Sequence, residues 1–321
     1  MSQSDEIQRA VRMIRAGQCV AFPTETVYGL GADATNPAAV ARVFSIKKRP
    51  RFDPLIVHIG AIEQIESVAM SVDDRALSLA RAFWPGPLTL VVPKAPMIDD
   101  IVTAGLPEVA VRMPDHPLAL ELLRRAAVPI AAPSANPFGY VSPTTAEHVR
   151  RQLGDAVDLI LDGGPCRVGL ESTIVSLGGD RPALLRPGGV ALEEIEAHLE
   201  TRLETRLETL GRGRRPLAPG QLPRHYSPVT RLVIVATPQA VPPGQRTTAA
   251  ILSVGPVDDI AGFARTEILS ADSNLEQAAA KLYAAMRDLD NSPVDAIYAI
   301  AVDEVGLGRA IMDRLRRAAE K

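Results

Sequence analysis

The chain has 321 residues, 46% of them hydrophobic and 23% charged, with 35 basic against 38 acidic side chains and a net charge of −3. The apolar content excludes a disordered tail protein, and the near balance of charge excludes a generic nucleic-acid coat, which needs a large basic excess. Any positive surface must therefore be local, and at about 150 residues per domain the length corresponds to roughly two domains.

Ile7, Val11 and Ile14 recur at helical spacing, and Gly17 follows where a left-handed cap would sit, so residues 4–16 are predicted as an amphipathic helix. A strand at 18–22 follows. Asn36-Pro37 predicts an N-cap with proline in the first turn, opening a helix through Ala41 and Phe44 that stops before Arg49-Pro50. Residues 55–59 read as a buried strand, 73–84 as a helix ended by Trp84-Pro85-Gly86-Pro87, and 88–92 and 109–112 as strands. After 128–132, Thr144 with Glu147 forms a predicted capping box for a helix closed by Gly154, and strands follow at 157–161 and 173–177. Many strands mixed with about five helices, broken at Pro and Gly clusters, indicate an α/β or α+β unit ending near residue 200.

Residues 201–210 contain the tandem TRLETRLE, and 211–228 read GRGRRPLAPGQLPRHYSP. Charge, Gly and Pro replace the alternating pattern there, which marks a connector. Beyond it, 231–235, 249–254 and 296–302 are strand candidates, with one helix from Leu275 capped by Ser273 and Glu276 and another at 306–319. The expected division is 1–205, a connector at 206–229, and a smaller α/β domain at 230–321, a size within the usual range.

Between Arg42 and Arg51 there are five basic residues, Arg42, Lys47, Lys48, Arg49 and Arg51, and no acid. This is a local anion-binding candidate, although cations at a helix C-terminus are also a common, purely structural feature. Pro50 pushes Arg49 into an extended conformation, so Lys47 and Arg49 would face one side if the chain there is strand-like. Ser134 and Asn136, flanked by Pro133 and Pro137, repeat that spacing, with an ordinary turn as the alternative. Arg112 before Met113-Pro114 and Arg186 before Pro187-Gly188 are polar side chains at strand ends, where α/β sheets bind ligands; singly, each is equally a surface arginine.

Gly29, Gly31 and Ala34 match G-x-G-x-x-A, with Asp53 at about the dinucleotide-motif distance, but the helix signal lies at Asn36-Pro37 and not at the glycines, so the match is read as a decoy. No G-x-x-x-x-G-K-[ST] occurs, so any nucleotide must be held by side chains. The two cysteines, Cys19 and Cys166, have neither CxxC spacing nor clustered His, and buried thiols are expected. The first residues mix charge into their apolar positions, and no apolar run reaches the roughly 18 residues of a membrane-spanning helix. A cytoplasmic protein with no membrane partner is expected.

The ordered strings PTETVYGLGADA (23–34), KKRPRFDPLIVHI (47–59), WPGPLTLV (84–91), VRMP (111–114), APSAN (132–136), ESTIV (171–175), LRPG (185–188), APGQLPRHYSP (218–228) and GLGRAIMDRLRRAA (306–319) together resemble the YrdC-like threonylcarbamoyl-AMP synthases in their long, two-domain form. The resemblance covers nearly the whole chain. It implies a catalytic domain with a YrdC-like twisted mixed sheet, followed by a smaller Rossmann-like α/β domain. It also implies a nucleotidyltransferase: L-threonine and bicarbonate, or CO2, form a carboxylated amine that attacks the α-phosphate of ATP, giving threonylcarbamoyl-AMP and pyrophosphate. Mg2+ would accompany ATP, with no metal ligands assigned in the protein. The product would pass to a tRNA-modifying complex, with no stable nucleic-acid binding by the chain itself.

The family's K-x-R and S-x-N signature falls on Lys47, Arg49, Ser134 and Asn136, implying catalytic roles there. Thr26, His58, Arg112 and Ser172 are implied to contact threonine, and Arg49, Asp53, Ser134, Ser142, Arg186, His225 and Tyr226 to contact ATP. Two positions depart from the family pattern. Asp53 stands where Asn is usual, placing a negative charge near phosphates unless Mg2+ intervenes, and Gln221 replaces a common Met. Residues 218–228 are expected to fold over the nucleotide as a lid that excludes water. The competing reading is an RNA-binding module using the same basic run, for which an aromatic content of 4% offers few stacking residues. A dinucleotide-dependent oxidoreductase is the weaker third choice.

Overall fold

The computed structural model describes residues 2–179, 181–205, 216–222 and 225–320. Ser2 opens α1 (Gln3–Arg15) through a reciprocal hydrogen-bond pair with Asp5, and Gly17, at φ +76°, turns the chain out of it. The apolar stripe of α1, Ile7, Ala10, Val11 and Ile14, is buried as its spacing predicts. β1 (Val20–Phe22) and β2 (Gly29–Asp33) pair antiparallel. A Cβ at Gly31 would come within 2.7 Å of both Ile130 and Phe22, so this glycine serves sheet packing. The G-x-G-x-x-A match is thus a strand and not a phosphate-binding turn.

Asn36 accepts from the amides of Ala38 and Ala39 to open α2 (Pro37–Lys47), and Lys48, at φ +53°, closes it. β3 (Ile56–His58), the short α3 (Ile65–Val68), α4 (Asp74–Phe83), β4 (Leu88–Pro93), the short α5 (Asp100–Thr103) and β5 (Glu108–Arg112) follow. The sequence reading did not place α6 (Pro117–Ala126), although His116 accepts from the Leu118 amide as its cap and proline fills the first position. α6 packs on α1. β6 (Ile130–Ala131) precedes α7 (Ala146–Leu153), whose cap is Thr145 and not Thr144. The Thr145 hydroxyl accepts from the His148 amide, whereas the Thr144 backbone amide donates to the His148 ring. β7 (Leu159–Ile160), β8 (Thr173–Ser176), β9 (Ala183–Arg186), a further unforeseen helix α8 (Leu192–Leu199) and β10 (Glu204–Thr205) complete the first unit.

These strands form one ten-stranded mixed sheet in the order β10-β9-β8-β4-β5-β3-β6-β2-β1-β7. β3 and β5 run parallel in the middle, with His58 directly opposite Arg112. Gly29 bridges to Ser134, which brings the loop after β6 against the start of β2. The register therefore gathers polar side chains at strand ends above an apolar interior that includes Tyr28, Leu30, Val57, Leu88, Leu90 and Val111.

The second unit is a four-stranded, wholly parallel sheet, order β11-β14-β12-β13. It is built from β11 (Arg231–Val235), the short α9 (Pro243–Arg246), β12 (Ala249–Ser253), β13 (Arg265–Ile268), α10 (Leu275–Asp290), β14 (Ala296–Ile300) and α11 (Leu307–Ala319). β13 was not anticipated, because its residues are mostly exposed and lack an apolar run. The cap of α10 is Asn274, which accepts from the Gln277 amide; Ser273 sits at φ +60° and does not cap. The core of this unit also takes in Val27, Val141, Leu170 and Tyr226 from earlier in the chain, so the two units share one apolar contact. Of the tandem TRLETRLE and the first part of the connector, residues 206–215 lie outside the described residues. Both cysteines are buried and free, and among the described residues no helix is long and apolar enough to cross a membrane.

Candidate functional site

Because Lys47 is the last helical residue and Lys48 is left-handed, the extended spacing expected for Lys47 and Arg49 is not what brings them together. A helix end followed by a tight turn does so instead. Lys47, 1% exposed, donates from Nζ to the carbonyls of Ser134 and Asn136 and so ties the basic run to the S-x-N loop. Burial, followed by the neighbouring Arg49 charge, holds the Lys47 amine well below its ordinary range. Arg49 Nη2 lies 2.8 Å from Asp53 Oδ2, and the guanidinium also donates to the carbonyls of Asp53 and Pro54, at 3.1 and 2.9 Å. The charge of Asp53, expected to repel phosphate, is thus neutralised within the turn. Burial pushes its carboxyl upward while Arg49 and Lys47 oppose that push.

At the central strand ends, Arg112 Nη2 lies 2.7 Å from Glu25 Oε1, both side chains being almost fully buried. Burial, then the Arg112 charge, pushes His58 down to about 3, so its imidazole is neutral at pH 7. Its Nδ1 has no hydrogen-bond partner among the described residues. The Ser172 hydroxyl shares a 2.7 Å hydrogen bond with Thr89 and accepts from Arg186 Nη2 at 3.1 Å. Arg186 also donates to the Ser172 carbonyl and to the Pro219 carbonyl of the connector. Thr26 and Thr24 share a 2.8 Å hydroxyl contact beside Glu25.

The connector forms the opposite wall. Gln221, buried, accepts from the amides of Leu217 and Ala218 and donates to the Leu185 carbonyl, which fastens the segment to β9; a methionine could not make these bonds. Tyr226 is left-handed at φ +60°, a conformation costing a bulky residue roughly 1–2 kcal/mol. The Arg314 guanidinium lies 4.9 Å from its ring centroid, and the Tyr283 ring stacks on it at 5.8 Å. His225 packs edge-on against Tyr226 and Phe138, and burial, then Arg49, holds it neutral. Glu171 accepts hydrogen bonds from Ser142 at 2.6 Å, Arg314 at 2.7 Å and Tyr283 at 2.8 Å. Burial acts to raise its carboxyl, but Arg314, Arg186 and Ser142 outweigh it and hold the group at about 2.

Most of these groups face one common cavity. Of the residues singled out in the sequence, Arg49, His58, Arg112, Ser134, Ser172, Arg186, His225 and Tyr226 line it. Five do not. Lys47 and Asn136 stand behind the Ser134 loop, where the Asn136 amide donates to the carbonyls of Pro137 and Tyr140. Asp53 stands behind Arg49, Thr26 behind Thr24, and Ser142 behind Glu171. Sequence reasoning missed Thr24, Glu25 and Glu171. All three lie inside strings already marked, PTET and ESTIV, but nothing local reveals that Glu25 pairs with Arg112 or Glu171 with Arg314. The acids around the cavity are each ion-paired, so the arrangement suits a polyanion held by arginines in a water-poor pocket. Among the described residues no group of three or more His, Cys, Asp or Glu could hold a metal ion.

A mixed-sheet α/β unit with an anion-holding cavity at its central strand ends, walled by a connector and backed by a second α/β unit, is the class that fold and site define. Within it, the Sua5/YciO/YrdC family model, described as "Telomere recombination", matches residues 12–188, and the model described as "Threonylcarbamoyl-AMP synthase, C-terminal domain" matches 190–320. The chain belongs to the Sua5/YciO/YrdC family, in the form that carries this C-terminal domain. It is 42% identical to the threonylcarbamoyl-AMP synthase of Pyrococcus abyssi over 98% of this chain and 94% of that protein. It is also 42% identical to the Bacillus subtilis protein of the same name, over 98% and 93%. The crystal structure of P. abyssi Sua5 complexed with L-threonine matches it with a TM-score of 0.91 at 40% identity, covering 99% of this chain and 95% of that one.

Proposed function

We propose that this protein is an L-threonylcarbamoyladenylate synthase, a nucleotidyltransferase converting L-threonine, bicarbonate and ATP to threonylcarbamoyl-AMP and pyrophosphate. The observation that carries the reading is the convergence of Arg49, His58, Arg112, Ser134, Ser172, Arg186, His225 and Tyr226, from seven separate stretches, on one cavity. The similarity to synthases over the whole chain supports it.

In this reading Arg112, oriented by Glu25, presents its planar fork to the threonine carboxylate, with Ser172 beside it and Thr26 acting from behind through Thr24. His58 is neutral and serves as an orienting hydrogen-bond partner and not as a cationic acid. Arg49, Ser134 and Arg186 hold the triphosphate, and Lys47 fixes the Ser134 loop from behind through the Ser134 and Asn136 carbonyls. Attack on the α-phosphate moves negative charge onto departing pyrophosphate. Fixed cations in a pocket poor in water stabilise that charge more than bulk solvent does. Positioning three small reactants supplies the rest. With every nearby acid already paired, Mg2+ enters on the triphosphate as part of the substrate. The connector at 218–228 acts as a lid, and the product passes to a cytoplasmic tRNA-modifying complex.

The test is mass detection of threonylcarbamoyl-AMP in a purified reaction, with pyrophosphate release requiring both L-threonine and bicarbonate. Release without either co-substrate, or no adenylate, overturns the reading. Deleting residues 211–321 is expected to abolish synthesis or uncouple it from ATP use; unchanged kinetics would remove the lid.

A further inference from the structure

The second unit puts no described residue in the cavity lining; it backs the wall through Glu171 and Tyr226, using side chains that are unusually costly to bury. Arg314, on α11, is fully buried, with Nε on Glu171 at 2.7 Å, Nη1 on Asp313 at 2.6 Å and Nη2 on the Pro187 carbonyl at 3.0 Å. Apolar side chains would join the two units at lower desolvation cost. Every nitrogen is committed, and the remaining surface of the guanidinium, its flat face, lies against the Tyr226 ring. Tyr283, on α10, donates to the same Glu171 oxygen and stacks on that ring. Two further bonds from α11 hold the connector beside it: Arg317 donates to the Leu222 carbonyl, and its own carbonyl accepts from the Ser227 hydroxyl. Tyr226 is therefore clamped by the second unit in a backbone conformation that a tyrosine would not adopt unaided.

We propose that Arg314 and Tyr283 are positioning residues for the synthase reaction, acting through Glu171 and the Tyr226 ring to hold the nucleotide side of the cavity closed. This rests on the synthase reading and assigns the second unit its part in it. Among the described residues, the second unit's polar and ring contacts fall on Glu171 and Tyr226, whereas Glu25, Arg112 and His58 on the threonine side pair within the first unit. Loss of the clamp should therefore separate the two substrates kinetically, which a general loosening of the fold would not do.

Full-length Arg314→Lys, Arg314→Met and Tyr283→Phe variants are compared by pyrophosphate release, varying ATP at saturating threonine and bicarbonate, and then threonine at saturating ATP. Lysine keeps the charge opposite Glu171 but lacks the flat face, and phenylalanine keeps the ring but lacks the hydroxyl. The expected result is a KM for ATP raised about tenfold in Arg314→Lys and at least threefold in Tyr283→Phe, with the KM for threonine within about twofold of wild type. Calorimetric binding of α,β-methylene-ATP should weaken in parallel while the melting temperature of Tyr283→Phe stays within a few degrees. Wild-type ATP parameters in both conservative variants overturn the proposal, as does an equal loss for both substrates that follows the folded fraction. If wild type makes no adenylate, the synthase reading fails; weakened analogue binding in the variants then still reports whether the clamp acts on a nucleotide.

Discussion

Replacing Glu171 with glutamine removes one charge from a buried carboxylate that accepts three hydrogen bonds and faces two arginines. In the folded protein the group is held at about 2 against an ordinary 4.5, and its side chain is 8% exposed, so solvent screening removes little of the effect. At about 1.4 kcal/mol per unit, the difference corresponds to a contribution on the order of 3 kcal/mol at neutral pH. Since the folded value is depressed, that contribution is complete above the unfolded value near 4.5 and is lost as pH falls toward 2. Glu171→Gln should thus lower stability at pH 7 by about 3 kcal/mol, or roughly 5 °C in melting temperature. The gap to wild type should shrink to about 1 kcal/mol near pH 3. Denaturant unfolding of both proteins at several pH values measures this. Equal stability at pH 7, or a gap that persists undiminished at pH 3, would refute the electrostatic account.

Lys47→Ala and Arg49→Ala should each lower synthesis by about 100-fold or more while circular dichroism shows an intact fold; wild-type turnover in either would refute its role. His225 is depressed below its ordinary value by burial and then by Arg49, so its imidazole is neutral in the free protein, and an arriving triphosphate should draw a proton onto it. ATP binding at neutral pH is therefore expected to show proton uptake, seen as a calorimetric heat that varies with buffer ionisation enthalpy; a buffer-independent heat would count against it. At Gly188 an added Cβ would lie 2.3 Å from the Glu171 carbonyl oxygen, against backbone that cannot swing away. Gly188→Ala should cost about 2 kcal/mol or more and weaken ATP binding through Arg186, and a stable, fully active variant would contradict this.

The elements with strong local signals were legible in the sequence. α1 and α2 follow from apolar spacing plus a cap, and β11 from a short apolar run between breakers. α6 carries the same signals, His116-Pro117 and an apolar stripe through Leu118 and Leu122, but it starts three residues after the Met113-Pro114 break, where the local pattern reads as loop. The caps of α7 and α10 were placed one residue early, since adjacent Thr144-Thr145 and Ser273-Asn274 are chemically equivalent until backbone angles decide. At the site, residues beside proline at strand ends were found from local backbone logic. Glu25 and Glu171 were not, because their meaning lies in partners distant along the chain: Glu171 meets Arg314 across 143 positions.

That separation governs how the protein can fold. The Cys19 amide bonds the Asp158 carboxylate 139 residues later, Thr89 meets Ser172 across 83, and closing a loop of such length costs about 4 kcal/mol of chain entropy before any contact repays it. No early fragment of the chain can hold a nucleotide, because the cavity comes into being only when distant stretches have met. ATP and threonine should accordingly leave the refolding rate almost untouched and act by slowing unfolding, so that substrate scarcity in the cell translates directly into a shorter lifetime against proteases.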